Sequence, residues 1–296
     1  LMARQEGALV NNYSKVINIE DTSWGHSCDI QTQNGEITTI GAKSIVCATG
    51  AWSNQFTKNT LVKPTKGVHV ILPDMDLPAA LLLMTPQDDR VFFVMPWSGH
   101  TLVGTTDQSG QFNYDQPVVT RSEINYLLDA INAYSNNRKW TPSDVIGAFC
   151  GFRPLINTTE QSSSKQTREE SISWLKPNIL SVTGGKYTTY RSISKKAVDK
   201  LTTASVIDTI ISQSNTKKTQ FIGYLKDEDW PSESQIDQLV RQYHINRDSL
   251  MHLMETYGAL YKNILQLILY DESLAARMDL SLPIITGELQ YAITNE

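Results

Sequence analysis

A small set of cationic side chains stands out along this 296-residue sequence: Lys66 with His69 close by, Arg153, Arg168 and Lys186. Arginine offers a rigid fork of donors that matches the oxygens of a phosphate or carboxylate, and lysine acts as a point charge. Arg153 sits in Gly151-Phe152-Arg153-Pro154-Leu155-Ile156, an apolar setting where an unpaired guanidinium would be costly. It either meets an anionic ligand or is neutralised by a buried acidic partner. His69 lies inside a β-patterned run, as a base or as a satisfied core histidine. His26, His100, His244 and His252 fall in loops or on helix faces and are assigned no role. Two apolar strands end on glycine, Ala48-Thr49-Gly50 and Val182-Thr183-Gly184-Gly185. Ligands of open α/β sheets sit outside such carboxyl ends, where glycine lets the backbone approach a planar or phosphorylated group. A tight turn between strand and helix is the plainer reading of each.

The elements that must position these groups read as follows. Leu1–Gly7 resembles the tail of a helix stopped by glycine, and strands are expected at Ala8–Tyr13 and Lys15–Ile19. Asn34-Gly35 between Cys28–Thr32 and Glu36–Ile40 predicts a hairpin with a type I′ turn. Ser44–Ala48 is apolar without alternation, as suits a strand buried on both faces. From Val68 to Asp107 the pattern predicts an antiparallel sheet, followed by a helix capped by Thr120 and Glu123 with Ile124, Leu127, Leu128 and Ile131 on one side. Asn157–Gln166 reads as an exposed polar loop. After Ile179–Val182 a helix carries Ile193, Ala197 and Leu201. Beyond a polar linker at Asn215–Lys218, helices are expected over Gln235–Tyr243, Asp248–Thr256 and Ile264–Met278.

Composition narrows the function classes. With 40% hydrophobic and 19% charged residues the chain can bury a sizeable core. Its net charge of −5 lacks the basic footprint of a nucleic-acid binder, so no nucleic-acid partner is expected. The longest apolar runs, such as Pro78–Met84, are too short to span a bilayer, and the first residues do not read as a signal peptide. Cys28, Cys47 and Cys150 show no CxxC spacing, which argues for no metal site, no disulfide framework and a reducing, cytoplasmic compartment.

Four segments in order carry a more specific signal: Pro64-Thr65-Lys66-Gly67-Val68-His69; Pro96–Thr101 running into Gly104-Thr105-Thr106-Asp107; Gly151-Phe152-Arg153-Pro154-Leu155; and Gly184–Arg191. Together they resemble the FAD-dependent, respiratory glycerol-3-phosphate dehydrogenase family over nearly the whole chain. The resemblance implies an α/β fold: a partial FAD/NAD(P)-binding, Rossmann-like domain (1–53 and 178–205), a substrate-binding antiparallel sheet with a helix (54–177), and a C-terminal helical cap (206–296). It implies FAD as cofactor, with Ala48, Thr49, Gly50 and Trp52 along the dinucleotide and Gly184, Gly185, Lys186, Tyr187 and Thr188 about the ring and ribityl chain. Arg153 and Arg168 would hold the substrate phosphate, and Lys66 would also bind the substrate. His69, Lys186 and Arg153 would be the catalytic set, His69 taking the C2 hydroxyl proton and Lys186 placing positive charge at the ring edge. The reaction would be hydride transfer from C2 of glycerol 3-phosphate to flavin N5, giving dihydroxyacetone phosphate, with electrons passed to quinone. The resemblance also implies peripheral contact with the inner face of the cell membrane and admits a homodimer.

Departures from the family pattern shape the expectation. The GxGxxG strand–turn–helix that grips the pyrophosphate is absent, as is the substrate-side arginine carried in that region. Glu170 stands where the family usually has an aromatic residue or histidine two positions after the arginine matched by Arg168. The sequence therefore reads as a fragment cut at both ends, inactive alone and weak in FAD binding. An amine or amino-acid oxidase using Arg153 for a carboxylate, a glycerol-3-phosphate oxidase using oxygen, and a non-enzymatic binding module are the alternatives left open.

Overall fold

A computed structural model describes residues 2–136, 138–157, 169–204 and 214–295. They divide into two compact units, Lys15–Ser214 and a second that joins Leu1–Ser14 to Asn215–Glu296. The fold is α/β, with parallel and antiparallel sheets in the first unit and helices in the second.

Helix α1 (Met2–Gln5) ends at Gly7, whose φ of +88° only glycine adopts freely. The strand expected at Ala8–Tyr13 does not form; Leu9 is fully exposed and Tyr13 takes a φ of +53°, which breaks an extended run. Strands β1 (Ser14–Thr22), β2 (Gly25–Thr32) and β3 (Ile37–Ala42) make a three-stranded sheet. Their hairpin differs from the expected type I′ turn. Gly35 donates to the Thr32 carbonyl and Thr32 to the Glu36 carbonyl, so the loop has three residues with Gly35 alone at positive φ. Strand β4 (Ile45–Cys47) runs into a 3₁₀ turn at Gly50–Phe56. Cys47 is buried but Val46 is 44% exposed, so β4 is covered on one face only, contrary to the apolar-run expectation.

The central sheet follows: β5 (Thr65–Pro73), β6 (Leu81–Met84), β7 (Val91–Trp97), β8 (His100–Gly104), the short β9 (Gln108–Ser109) and, after helix α2 (Arg121–Asn132), β10 (Gly147–Arg153). Its order is β10-β5-β8-β7-β6, and these neighbours pair antiparallel throughout. The β7–β8 hairpin is the true two-residue turn, with Ser98 and Gly99 both at positive φ. Strand parity then sorts the residues. Val68, Val70 and Leu72 of β5, with Phe92, Val94 and Val103, pack on Leu127, Leu128 and Ile131 of α2. Gly67 and His69 face the other way, together with their register partners Gly151, Phe149 and Gly104. The capping box at Thr120 and Glu123 forms as expected.

Strands β11 (Glu170–Lys176) and β12 (Ile179–Gly184) complete a third sheet, in which β12 lies parallel to β4 with Ser181 opposite Cys47. Helix α3 (Tyr190–Thr203) lays Ala197 and Leu201 on Leu180 of that sheet. In the second unit α4 (Glu233–Tyr243), α5 (Arg247–Tyr257), α6 (Tyr261–Tyr270) and α7 (Thr286–Asn295) bury Leu250, Leu253, Met254, Ile264 and Ile285 in one core. The helix expected to reach Met278 stops at Tyr270, because Asp271 turns extended and its carboxylate accepts from the Ser273 N–H, opening a separate turn. The polar loop expected at Asn157–Gln166 lies, beyond Asn157, outside the described residues.

Candidate functional site

The site is built on β5 and its two neighbours. Arg153, at the end of β10, lays its guanidinium over Gly67: a Cβ there would overlap both terminal nitrogens and stand 2.6 Å from Cζ. A glycine inside a strand commonly marks such a close approach. The guanidinium then meets three oxygens that follow β8. Nη2 donates to the Thr105 hydroxyl at 2.8 Å, Nη1 donates to the Thr106 carbonyl at 3.3 Å, and the Asp107 carboxylate stands 3.5 Å from Nη1. Arg153 thus has an acidic neighbour, and it also lines a cavity.

His69 lies two residues along β5 on the same face. Its ring covers Gly104, where a Cβ would come within 2.7 Å of Cγ, and stacks on Phe149 with centroids 5.1 Å apart and planes 12° from parallel. Burial, and secondly the positive charge of Arg153, hold its imidazole below the ordinary histidine value. A neutral ring with an available lone pair is the form a proton acceptor needs.

The cavity, about 280 Å³, is lined by Phe152, Arg153, Pro154, Leu155, Gly184, Gly185 and Lys186. It brings together an arginine and a lysine from distant parts of the chain with the glycine end of β12. Gly184 and Gly185 have φ of +71° and +85°. A Cβ on Gly184 would strike the Glu169 carbonyl, and one on Gly185 the Ile193 side chain. Lys186 is exposed, and among the described residues it forms no ion pair with a carboxylate. Because β4 is parallel to β12, Thr49 and Gly50 leave the same sheet end as Gly184 and Gly185, and Gly50 has a φ of +54° with open space above it. Trp52, in the turn beyond, donates its indole N–H to Asp115 at 3.1 Å and meets Tyr114 edge-on. Tyr114 in turn contacts the cavity-lining Phe152.

Other expected site residues lie elsewhere. Lys66 is not with Arg153. Opposite parity on β5 turns it toward α2, where its buried ammonium meets Glu123 Oε2 at 2.8 Å, so the substrate-binding expectation for it is corrected. Tyr187 and Thr188 form an exposed 3₁₀ turn and do not line the cavity, and Ala48 is exposed at the end of β4. Arg168 lies outside the described residues. Sequence reasoning gave no role to Gly67, Thr105, Asp107 or Phe149; glycines interrupting the β runs at 67 and 104 were the available signal.

A glycine-ended parallel strand pair, with Arg153 of the antiparallel sheet lining the cavity at that end, suits a flavin-linked redox protein. Residues 1–187 match the FAD dependent oxidoreductase family, and residues 214–296 match the C-terminal domain of alpha-glycerophosphate oxidase. The chain belongs to the FAD-dependent oxidoreductase family. It is 27% identical over 271 residues to a glycerol-3-phosphate dehydrogenase of Mycobacterium leprae, covering 90% of this chain and 46% of that protein. It is 29% identical over 317 residues to a mitochondrial glycerol-3-phosphate dehydrogenase of Arabidopsis thaliana, covering 98% and 49%. The crystal structure of a glycerol-3-phosphate dehydrogenase from Bacillus halodurans complexed with FAD superposes with a TM-score of 0.81 at 24% identity, over 98% of this chain and 58% of that one. The chain thus spans about half the length of the curated relatives it matches.

The residues present fit one end of an FAD. Gly184 and Gly185 leave no side chain at the cavity wall, Gly50 leaves its strand end open, and Lys186 supplies a cation. The cavity's volume lies at the lower bound for small-molecule sites, about 300 Å³, which suits a ring edge or a three-carbon phosphate rather than a whole dinucleotide.

Proposed function

We propose that the full-length protein carrying this chain oxidises sn-glycerol 3-phosphate to dihydroxyacetone phosphate, with quinone as the onward electron acceptor. The observation that carries this reading is the single cavity in which Arg153 and Lys186 meet the glycine end of β12. Residues 54–177 would serve the substrate, 1–53 with 178–205 the cofactor, and 206–296 a cap.

Bound FAD would supply the two-electron acceptor for the hydride leaving C2, with Gly184, Gly185 and Lys186 about its ring end and Thr49 and Gly50 along the dinucleotide. Arg153 would hold the phosphate, its fork fixed from behind by Thr105 and Asp107 so that orientation is set before binding. Lys186 adds a point charge that favours an anion in the same cavity. His69, neutral at physiological pH, would accept the C2 hydroxyl proton as the carbonyl forms. The names of the relatives support a dehydrogenase. A lipid-held quinone would bring the protein to the cytoplasmic face of a membrane as a peripheral protein. No described helix is long and apolar enough to cross one.

Anaerobic addition of glycerol 3-phosphate to the full-length flavoprotein should bleach its flavin absorbance, and a soluble quinone analogue should restore it faster than oxygen does. Arg153→Ala should lower kcat/KM by an amount equivalent to about 2–5 kcal/mol of lost transition-state binding, the cost of truncating a desolvated charge partner. An unbleached spectrum with glycerol 3-phosphate would overturn the assignment of substrate.

A further inference from the structure

We propose that Asp107 is a positioning residue for Arg153, its carboxylate acting with the Thr105 hydroxyl to set the direction in which the guanidinium presents its donors to a phosphate. This rests on the reading of Arg153 as the phosphate holder and goes beyond it, because no resemblance or family match gives Asp107 a role.

Three observations converge on this residue. The first is a bulge. Along β5, His69 pairs with Gly104 and Lys66 with Gln108, while Val68 N–H donates to the Thr106 hydroxyl at 2.9 Å. Thr105, Thr106 and Asp107 therefore oppose only Gly67 and Val68, one residue more than a regular ladder holds. Bulges next to sites re-aim side chains, and this one swings Thr105 and Asp107 toward the space above Gly67. The guanidinium consequently spans three strands: rooted on β10, lying over β5, and gripped by the residues that follow β8.

The second observation is the state of the carboxylate. Asp107 Oδ1 is buried and, among the described residues, has no hydrogen-bond partner, a costly condition for a carboxylate unless a cation offsets it. The cation 3.5 Å away is Arg153. The third is that Asp107 is itself held. The Arg90 guanidinium donates to its main-chain carbonyl, Arg90 pairs with Asp88 at 3.1 Å, and Asp88 accepts from the Tyr126 hydroxyl of α2 at 2.8 Å. The support for Arg153 is therefore continuous from α2 to the fork. A longer-range charge effect alone would need none of this. Held from one side by Thr105 and Asp107 and from below by Gly67, the fork is left few orientations, which is how a supporting residue raises affinity without touching ligand.

The test uses full-length holoenzyme and inorganic phosphate, with binding read from the perturbation of the flavin absorption spectrum. Asp107→Asn should weaken phosphate binding about tenfold, and raise KM for glycerol 3-phosphate in the same proportion, with kcat at saturation within about twofold, as expected for a lost charge-assisted contact. Phosphate affinity and KM both unchanged in a folded variant would overturn the proposal. So would a fall in kcat with KM unchanged. If Asp107→Asn does not fold, Thr105→Val removes the other anchor and should weaken phosphate binding in the same sense. An unchanged phosphate affinity in that variant also overturns it. Wild-type protein that binds phosphate but is not reduced by glycerol 3-phosphate would sink the substrate assignment alone, and leave the role of Asp107 to be judged on phosphate.

Discussion

His69 shows how much of the chemistry rests on single side chains. Burial and the neighbouring Arg153 charge both disfavour the imidazolium, so the ring stays neutral to a pH below the ordinary value of about 6.5. The folded state is thus favoured above that value, and His69's contribution is lost as pH falls toward its lowered pKa. In an NMR titration of the His69 ring, the midpoint should lie below about 6.5 and should rise when Arg153 is changed to Gln, because the coulombic part is removed while burial stays. A midpoint that does not move would mean that Arg153 does not act on the ring. The arginine itself was legible, since its apolar flanks demanded a partner. Its acidic neighbour was not, because nothing local to Gly151-Phe152-Arg153 indicates that Gly104–Asp107 is brought alongside by β5.

At the scale of elements, Lys66 and Glu123 matter most. The capping box was readable because its residues lie three apart, but the ion pair joins positions 57 apart and depends on how α2 crosses the sheet. One signal was nonetheless available. On a strand Lys66 shares parity with Val68, Val70 and Leu72, and His69 does not, so the two could not both face one ligand. Changing Lys66 to Met should cost about 3–5 kcal/mol in a denaturant titration, because it strands a buried carboxylate. Adding Glu123→Gln should recover much of that, and neither change should alter phosphate affinity in the folded protein. A selective loss of phosphate binding with stability intact would return Lys66 to the site. The Asn34-Gly35 loop teaches a related lesson. Turn residues predict that a hairpin exists, but the register of β2 on β3 decides its length.

Over the whole molecule, strands followed by helices were visible in the pattern, but the joining of Leu1–Ser14 to Asn215–Glu296 was not, because nothing in that short segment's composition ties it to the helices. The central sheet's handling of parity was not visible either, since it needs register. The parallel meeting of β4 and β12 could only be inferred from their shared glycine ends. Gly50, Gly184 and Gly185 follow that meeting, and the sequence carries no GxGxxG turn to cradle a pyrophosphate. This polypeptide on its own should therefore purify without yellow colour and take up FAD weakly in a fluorescence-quenching titration. Stoichiometric flavin retained through purification would show that the cradle is dispensable.

Glu123 Oε2 accepts from the Thr120 N–H, the Thr120 hydroxyl and Lys66 Nζ at 2.7–2.8 Å. One oxygen atom thus closes the start of α2 and ties it to β5. The helix cannot fray from its first turn without abandoning a cation inside the protein, so transient opening there is fused to opening of the sheet. The unit carrying Arg153 should yield as one cooperative block rather than loosen from its edge.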